Sequence, residues 1–277
     1  MSVLALLIVF IIPATGQVEP FYFMLLTDTQ FGMYAADKEF SRETANCEFT
    51  VATVNRLKPR FVIILGDLVN KPGDPEQIRE FQRITGKIDK SILVYLVAGN
   101  HDVGHQPTPE TVAAYRKTFG RDYYSFQAGP IYGIVLNSTL IHTPKNVQAE
   151  YQEQNSWLEK ELQKAKESGL PHTVVFLHHP LFTKAADEPD DHGNIPLERR
   201  KPLLELLHKY GIRYVFAGHV HGSAVTRDGA LEMTAVGPVS MPFSEEGSGM
   251  RLGVATAEGI RHQFFGFGRM PDRLAID

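Results

Sequence analysis

Apolar and polar positions along this chain repeat with two different periods. Short runs rich in Val, Ile, Phe and Tyr occupy residues 21–26, 61–65, 92–97, 174–177 and 214–216. Each has the length and composition of a buried strand. Further strand-like runs fall at 131–136, 230–236, 252–257 and 260–267. Between them, residues 37–57, 74–87, 108–118, 148–168 and 197–210 place apolar side chains at helical spacing. The last of these stops before Gly211, a residue suited to closing a helix. Strands alternate with helices first and succeed one another later, which predicts mixed sheets. No composition break or repeat interrupts residues 17–277, so the pattern predicts one α/β domain of two packed sheets with outer helices.

Composition narrows the class. The formal net charge of −4, without a dense Lys/Arg stripe, gives no electrostatic footprint for nucleic acid. Cys47 is the single cysteine, which excludes an internal disulfide and a cysteine-based zinc site. It lies in a helical apolar pattern and reads as a buried structural thiol. Residues 1–16 depart from the globular pattern. Val3 to Ile12 are unbroken apolar, and Pro13 and the small residues Ala14, Thr15 and Gly16 follow. The segment reads as a secretory signal peptide removed near Gly16–Gln17, although no Lys or Arg precedes the apolar run. That predicts an extracytoplasmic protein, secreted or periplasmic. The stretch is short for a bilayer and no cysteine follows it, so no stable membrane anchor is expected. As a leading core strand it would instead leave the chain cytoplasmic.

The candidate chemistry sits where five of the strand-like runs end. Asp28-Thr29-Gln30, Gly66-Asp67, Gly99-Asn100-His101-Asp102, His178-His179-Pro180 and Gly218-His219-Val220-His221 each follow one run within a residue. Ligands of such sheets bind at the loops beyond the carboxyl ends of the strands, so five such loops predict one metal site. Asp67, freed by the preceding Gly, is placed to bridge two cations. Asp28 and His221 would complete one shell, and Asn100, His178 and His219 the other. Carboxylate, amide and imidazole together suit Mn, Fe or Zn better than Ca or Mg. Two such ions lower the pKa of a bridging water, hold phosphoryl oxygens and neutralise transition-state charge. His101 would then lie near the leaving-group oxygen as a proton donor.

In this order the motifs resemble those of the calcineurin-like metallophosphoesterases, over residues 20 to 267. The resemblance implies a four-layer αββα sandwich with a dinuclear site at one edge. It implies Asp28, Asp67, Asn100, His178, His219 and His221 as ligands, His101 as acid, and a phosphate ester as substrate. Asp28 through Gly32, Asp102-Val103-Gly104, Asp122 through Phe126 and Val135 through Ser138 are similar to a protein Ser/Thr phosphatase branch of that family. Two positions depart. Most of the superfamily has His where this chain has Gln30, a weak neutral ligand. Phosphoprotein phosphatases have Asp where this chain has Asn70, which is expected to orient His101 by a hydrogen bond while raising its pKa less.

Neighbouring residues receive plainer readings. Adjacent side chains on an extended segment diverge, so His178 and His179 cannot share a cation, and the family pattern selects His178. Asp102 is expected to brace its loop, and Asn137 and Ser138 to shape a turn. The acidic stretch 187–191 and Arg199, Arg200 and Lys201 are expected to face water. His105, His142, His172, His192, His208 and His262 have no ligand-like context. The leading function is a metal-dependent phosphomonoesterase acting on phosphoprotein or small phosphate esters. A phosphodiesterase is second. A binding protein that kept the fold and lost turnover would have no use for His101.

Overall fold

The computed structural model describes residues 20–275, and the segment read as an export signal lies outside them. Period-two alternation builds both sheets. In β1 (Phe21–Leu26) the side chains of Phe23 and Leu25 take one face, and those of Met24 and Leu26 the other. Both faces are buried, so the run has no polar positions. The same split recurs in β2 (Phe61–Ile64), β6 (His172–Phe176) and β7 (Tyr214–Ala217).

The first sheet has the order β11-β10-β1-β2-β3, with β3 at Leu93–Leu96, β10 at Gly249–Ala255 and β11 at Ile260–Gly266. The second has the order β4-β5-β6-β7-β9-β8, with β4 at Tyr124–Ala128, β5 at Ile131–Val135, β8 at Ala224–Asp228 and β9 at Leu231–Ala235. Strands β1-β2-β3 and β5-β6-β7-β9 are parallel, and the remaining pairs antiparallel. Both sheets are therefore mixed.

Three apolar layers separate four structural ones. Helices α1 (Ser41–Leu57) and α2 (Pro75–Thr85) set Cys47, Val51, Val54, Phe81 and Ile84 against Met24, Leu26, Val62 and Ile64 of the first sheet. Between the sheets lie Phe23, Leu25, Phe61, Ile63, Val174, Phe176 and Phe216. Behind the second sheet, α6 (Gln148–Glu167) and α7 (Leu197–Lys209) contribute Leu158, Leu162, Leu203 and Leu207. This is the expected αββα sandwich. The remaining α-helices are α3 (Asn100–Val103), α4 (Pro109–Phe119) and α5 (Ser138–His142).

The differences from the sequence reading lie at edges and ends. Strands β4 and β8 escape the pattern because they form the two borders of the second sheet and carry polar residues such as Gln127 and Arg227. Strand β3 is not buried as expected: as the border of the first sheet it leaves Leu93 51% exposed. Helix α1 starts at Ser41, not at residue 37, because Ala36 and Asp37 take left-handed φ values of 50° and 64°. Cys47 is buried, and burial pushes its thiol well up from the ordinary range, as befits a structural cysteine.

Candidate metal centre

The loops after β1, β2, β3, β6 and β7 meet at one edge of the sandwich, stitched by main-chain bonds. The Asp28 N–H donates to the Gly66 carbonyl (3.0 Å), Gln30 N–H to Asp67 (2.9 Å) and Gly218 N–H to His178 (2.9 Å). Two motif glycines exist because the loops crowd. A Cβ on Gly99 would stand 2.2 Å from the Asp67 nitrogen, and one on Gly218 1.8 Å from Thr27 Oγ1. Asp28, Gln30, Asp67, His219 and His221 all take positive φ, between 38° and 73°. Such strain costs about 1–3 kcal/mol per residue and persists only where the surroundings enforce it. It is concentrated on the residues singled out for chemistry.

Each of three imidazoles is fixed by one nitrogen on a main-chain carbonyl, with the other turned toward the centre. His178 Nδ1–H donates to the Leu65 carbonyl (2.8 Å), His219 Nε2–H to His192 (2.8 Å) and His221 Nδ1–H to Met241 (2.5 Å). This fixes the tautomer and turns the other nitrogen inward, as in metal-bound histidines. His178 Nε2 stands 3.1 Å from Asp67 Oδ2, 3.1 Å from Asn100 Oδ1 and 3.2 Å from His219 Nδ1. Asp67, His178 and His219 thus form a group of buried donor atoms compact enough to hold a metal ion.

On the other side, Asp28 Oδ2 accepts from Thr27 Oγ1 (2.6 Å) and from the His219 N–H (3.1 Å). Its Oδ1 is buried without a hydrogen-bond partner and lies 3.5 Å from His221 Nε2. Gln30 Oε1 is likewise buried and unpartnered. Its orientation follows from a relay. Asp37 can only accept, so Asn70 Nδ2 donates to it (2.8 Å), and Asn70 Oδ1 therefore accepts from Gln30 Nε2 (3.2 Å). That leaves the Gln30 oxygen for something else. A buried acceptor without a donor is costly unless a cation or proton satisfies it, and a cation fits this donor set.

The electrostatics agree. Burial alone would raise Asp67, yet the charge and hydrogen bond of His178 hold its carboxyl well below the usual range. Burial would lower His178, but Asp67 beside it raises the imidazole to about 9. Burial and the charge of His178 push His219 down to about 3, a neutral ligand in waiting. Burial raises Asp28, against the pull of His221. The centre thus favours positive charge between Asp67 and its neighbours, a role a proton or a metal ion can take.

His101 and Asp67 line a cleft of about 660 Å³ together with Gln30, His219 and His221. The His101 N–H donates to Asp67 Oδ1 (2.8 Å), and Nδ1–H to the Asn70 main-chain carbonyl (2.6 Å), leaving Nε2 for the cleft. Here the reading of Asn70 needs correction: its main chain orients His101, and its side chain serves Gln30.

Other expectations divide. Asp102 braces its loop, accepting from the N–H groups of Leu68, Val69 and Gly99. Asn137 caps α5, accepting from the Thr139 N–H. Ser138 does more than shape a turn: its Oγ accepts from the His178 and His179 N–H groups and pairs with His179 Nδ1 (2.9 Å). Arg200 does not face water. It is fully buried and donates to the carbonyls of Leu181 and Glu188. Nor is the acidic stretch merely solvated: Glu188 accepts from the N–H groups of Thr183, Lys184 and Ala185. His105, His142 and His192, passed over in the sequence, line a cavity of about 130 Å³ beside Asn100. None of the three follows a strand, so no local signal marked them. His172, His208 and His262 bond elsewhere, to Thr256, Asp228 and Glu232.

Known proteins are similar to this chain in sequence and in fold. The sequence profile described as Calcineurin-like phosphoesterase matches residues 21–223. The serine/threonine-protein phosphatase CPPED1 of Mus musculus is 37% identical over 261 residues, 89% of this chain and 84% of that protein. Its Homo sapiens counterpart is 34% identical over 270 residues, 92% and 86% respectively. Among solved structures, a dimetal phosphatase from Danio rerio is similar with a TM-score of 0.62 and 15% identity, covering 91% of this chain and 99% of that one. Purple acid phosphatase PPD1 from yellow lupin gives 0.67 and 16%, covering 91% and 52%. At such identities the structural likeness speaks for the fold alone, whereas the sequence matches extend to kinship. The chain belongs to the calcineurin-like phosphoesterase family and is a metal-dependent phosphoesterase.

Proposed function

We propose that this phosphoesterase acts on phosphomonoesters, in the manner of a protein Ser/Thr phosphatase, at a dinuclear centre. Asp28, Gln30, Asp67 and His221 would hold one ion, and Asp67, Asn100, His178 and His219 the other. The observation that carries the reading is a set of tautomer-fixed imidazoles at two buried carboxylates, His178 and His219 at Asp67 and His221 at Asp28, beside two unpartnered buried oxygens. The CPPED1 relatives support the choice of phosphoprotein-like monoesters.

Bound Mn, Fe or Zn ions would supply Lewis acidity toward the phosphoryl oxygens and toward water. Asp67 would belong to both ligand sets. His101 keeps its Nδ1 proton on the Asn70 carbonyl, so it acts as an acid in its imidazolium form. Nε2–H then gives its proton to the leaving oxygen, and the ring returns to the neutral Nδ1–H tautomer. The export signal read in residues 1–16 belongs to the same proposal and would place the substrate outside the cytoplasm. N-terminal sequencing of secreted protein, expected to begin near Gln17, checks that part.

The central test combines metal analysis of purified protein with rates on a phosphomonoester and a phosphodiester of the same leaving group. Two metal equivalents and faster turnover of the monoester are expected. A faster diester would overturn the assignment.

A further inference from the structure

Phe243 is 66% exposed, more than any other large apolar side chain among the described residues. It lines the same cleft as Asp67 and His101. Its ring stacks on that of His221, with centroids 4.6 Å apart and planes 19° apart. The contact is held by hydrogen bonds between the loop after β7 and the loop after β9. The Phe243 N–H donates to the His221 carbonyl (2.8 Å), and His221 Nδ1–H to the Met241 carbonyl. One face of the aromatic ring is therefore covered by an imidazole of the metal centre, and the exposed remainder of the ring borders the cleft. A rigid aromatic wall gives up little entropy when a second ring packs on it.

The rest of the cleft points the same way. Met33, Val220 and Ala224 add apolar surface to its lining. No Lys or Arg is among the residues that line it, whereas Asp191 is. A phosphoryl group would find its counter-charge at the metal centre alone. A second anionic group on the substrate would meet no cation and one carboxylate. The substrate's organic part is thus left to apolar contact, and stacked aromatic pairs add to simple burial.

We infer that Phe243 is a specificity-determining platform, favouring phosphomonoesters, phosphoprotein segments among them, that set a planar apolar ring against it. The inference rests on the phosphomonoesterase reading of the same cleft. It is tested with benzyl phosphate and ethyl phosphate, whose alcohols leave with similar ease, on manganese-loaded wild type, Phe243→Ala and Phe243→Tyr. Calorimetric binding of benzylphosphonate and ethylphosphonate gives a readout independent of turnover. The wild type should prefer the benzyl compound in kcat/KM and in affinity, by about tenfold from stacking and ring burial. Phe243→Ala should bring both ratios near one, and Phe243→Tyr should preserve them. Ratios unchanged in Phe243→Ala would overturn the inference even if both rates fell, because the ring would then only brace His221. Equal treatment of the two compounds by the wild type would overturn it as well. If neither ester is hydrolysed, the phosphomonoesterase reading fails, while the two phosphonates still decide whether the platform exists.

Discussion

The two sides of the metal centre satisfy their donors in different ways. Around His178 the polar atoms answer one another, with contacts of 3.1–3.2 Å to Asp67, Asn100 and His219. Around Asp28 they do not: Asp28 Oδ1 and Gln30 Oε1 are buried without partners, and His221 Nε2 stands 3.5 Å off. The first side can balance its charge with a proton on His178. The second has two acceptors without a hydrogen-bond donor, and a cation there would remove the desolvation penalty they carry. Yet its ligand set includes a neutral amide, a weaker donor of electrons than imidazole. The same half therefore has more need of a metal ion and less grip on it.

The most severe way to break this comparison is Asp67→Ala, which removes the carboxylate common to both sides. Turnover should fall to background and metal content should drop, read by rate assay and elemental analysis of the same sample. Full occupancy with an unchanged rate would refute a dinuclear centre. His101→Ala comes next, because it spares both ligand sets. Both ions should remain and the rate should fall by about 10²–10⁴, the usual worth of general acid catalysis. The loss should shrink for esters with very good leaving groups, and a uniform loss would instead give His101 a phosphate-binding role.

Gln30→His sharpens the contrast between the sides. It replaces the neutral amide oxygen with an imidazole, and manganese titration of stripped protein should show one equivalent bound more tightly. The other equivalent should be unmoved. Indistinguishable isotherms would mean that the amide oxygen does not reach the ion. The smallest effect concerns protons on the His178 side. With His178 raised to about 9, metal binding below that pH must displace a proton from Nε2. Manganese binding at pH 7 should therefore release about one proton, declining toward none as pH rises through 9. Apparent affinity should rise over the same interval and then level. Release that does not change with pH would place the proton elsewhere.

Much of this was legible from side-chain pattern, for reasons that can be named. Strands β1, β2 and β7 are covered on both faces, so burial forbids polar residues until the chain leaves the sheet. The first polar residues after each run are then the ones at the shared edge: Thr27 and Asp28, Asp67, and His219. Strands β4 and β8 lacked that signal because border strands meet water and tolerate residues such as Gln127 and Arg227. Asn70 was placed in the right neighbourhood with the wrong atom. A sequence shows which side chain is present, but not that the His101 ring meets the main chain of residue 70.

The sequence by itself determined the succession of the buried strands and the long helices along the chain, the loops that bear metal donors and the residue types available to hold cations, since these follow from local periodicity and chemistry. Only the tertiary structure decided which nitrogen of each imidazole turns inward, because carbonyls of Leu65, His192 and Met241, distant along the chain, occupy the other. It also decided that Arg200 lies in the interior, that His105, His142 and His192 gather beside the centre, and that Phe243 stacks on His221. Those outcomes depend on how separate loops pack at one sheet edge. Packing between loops far apart in sequence leaves no period in the chain from which it could be read.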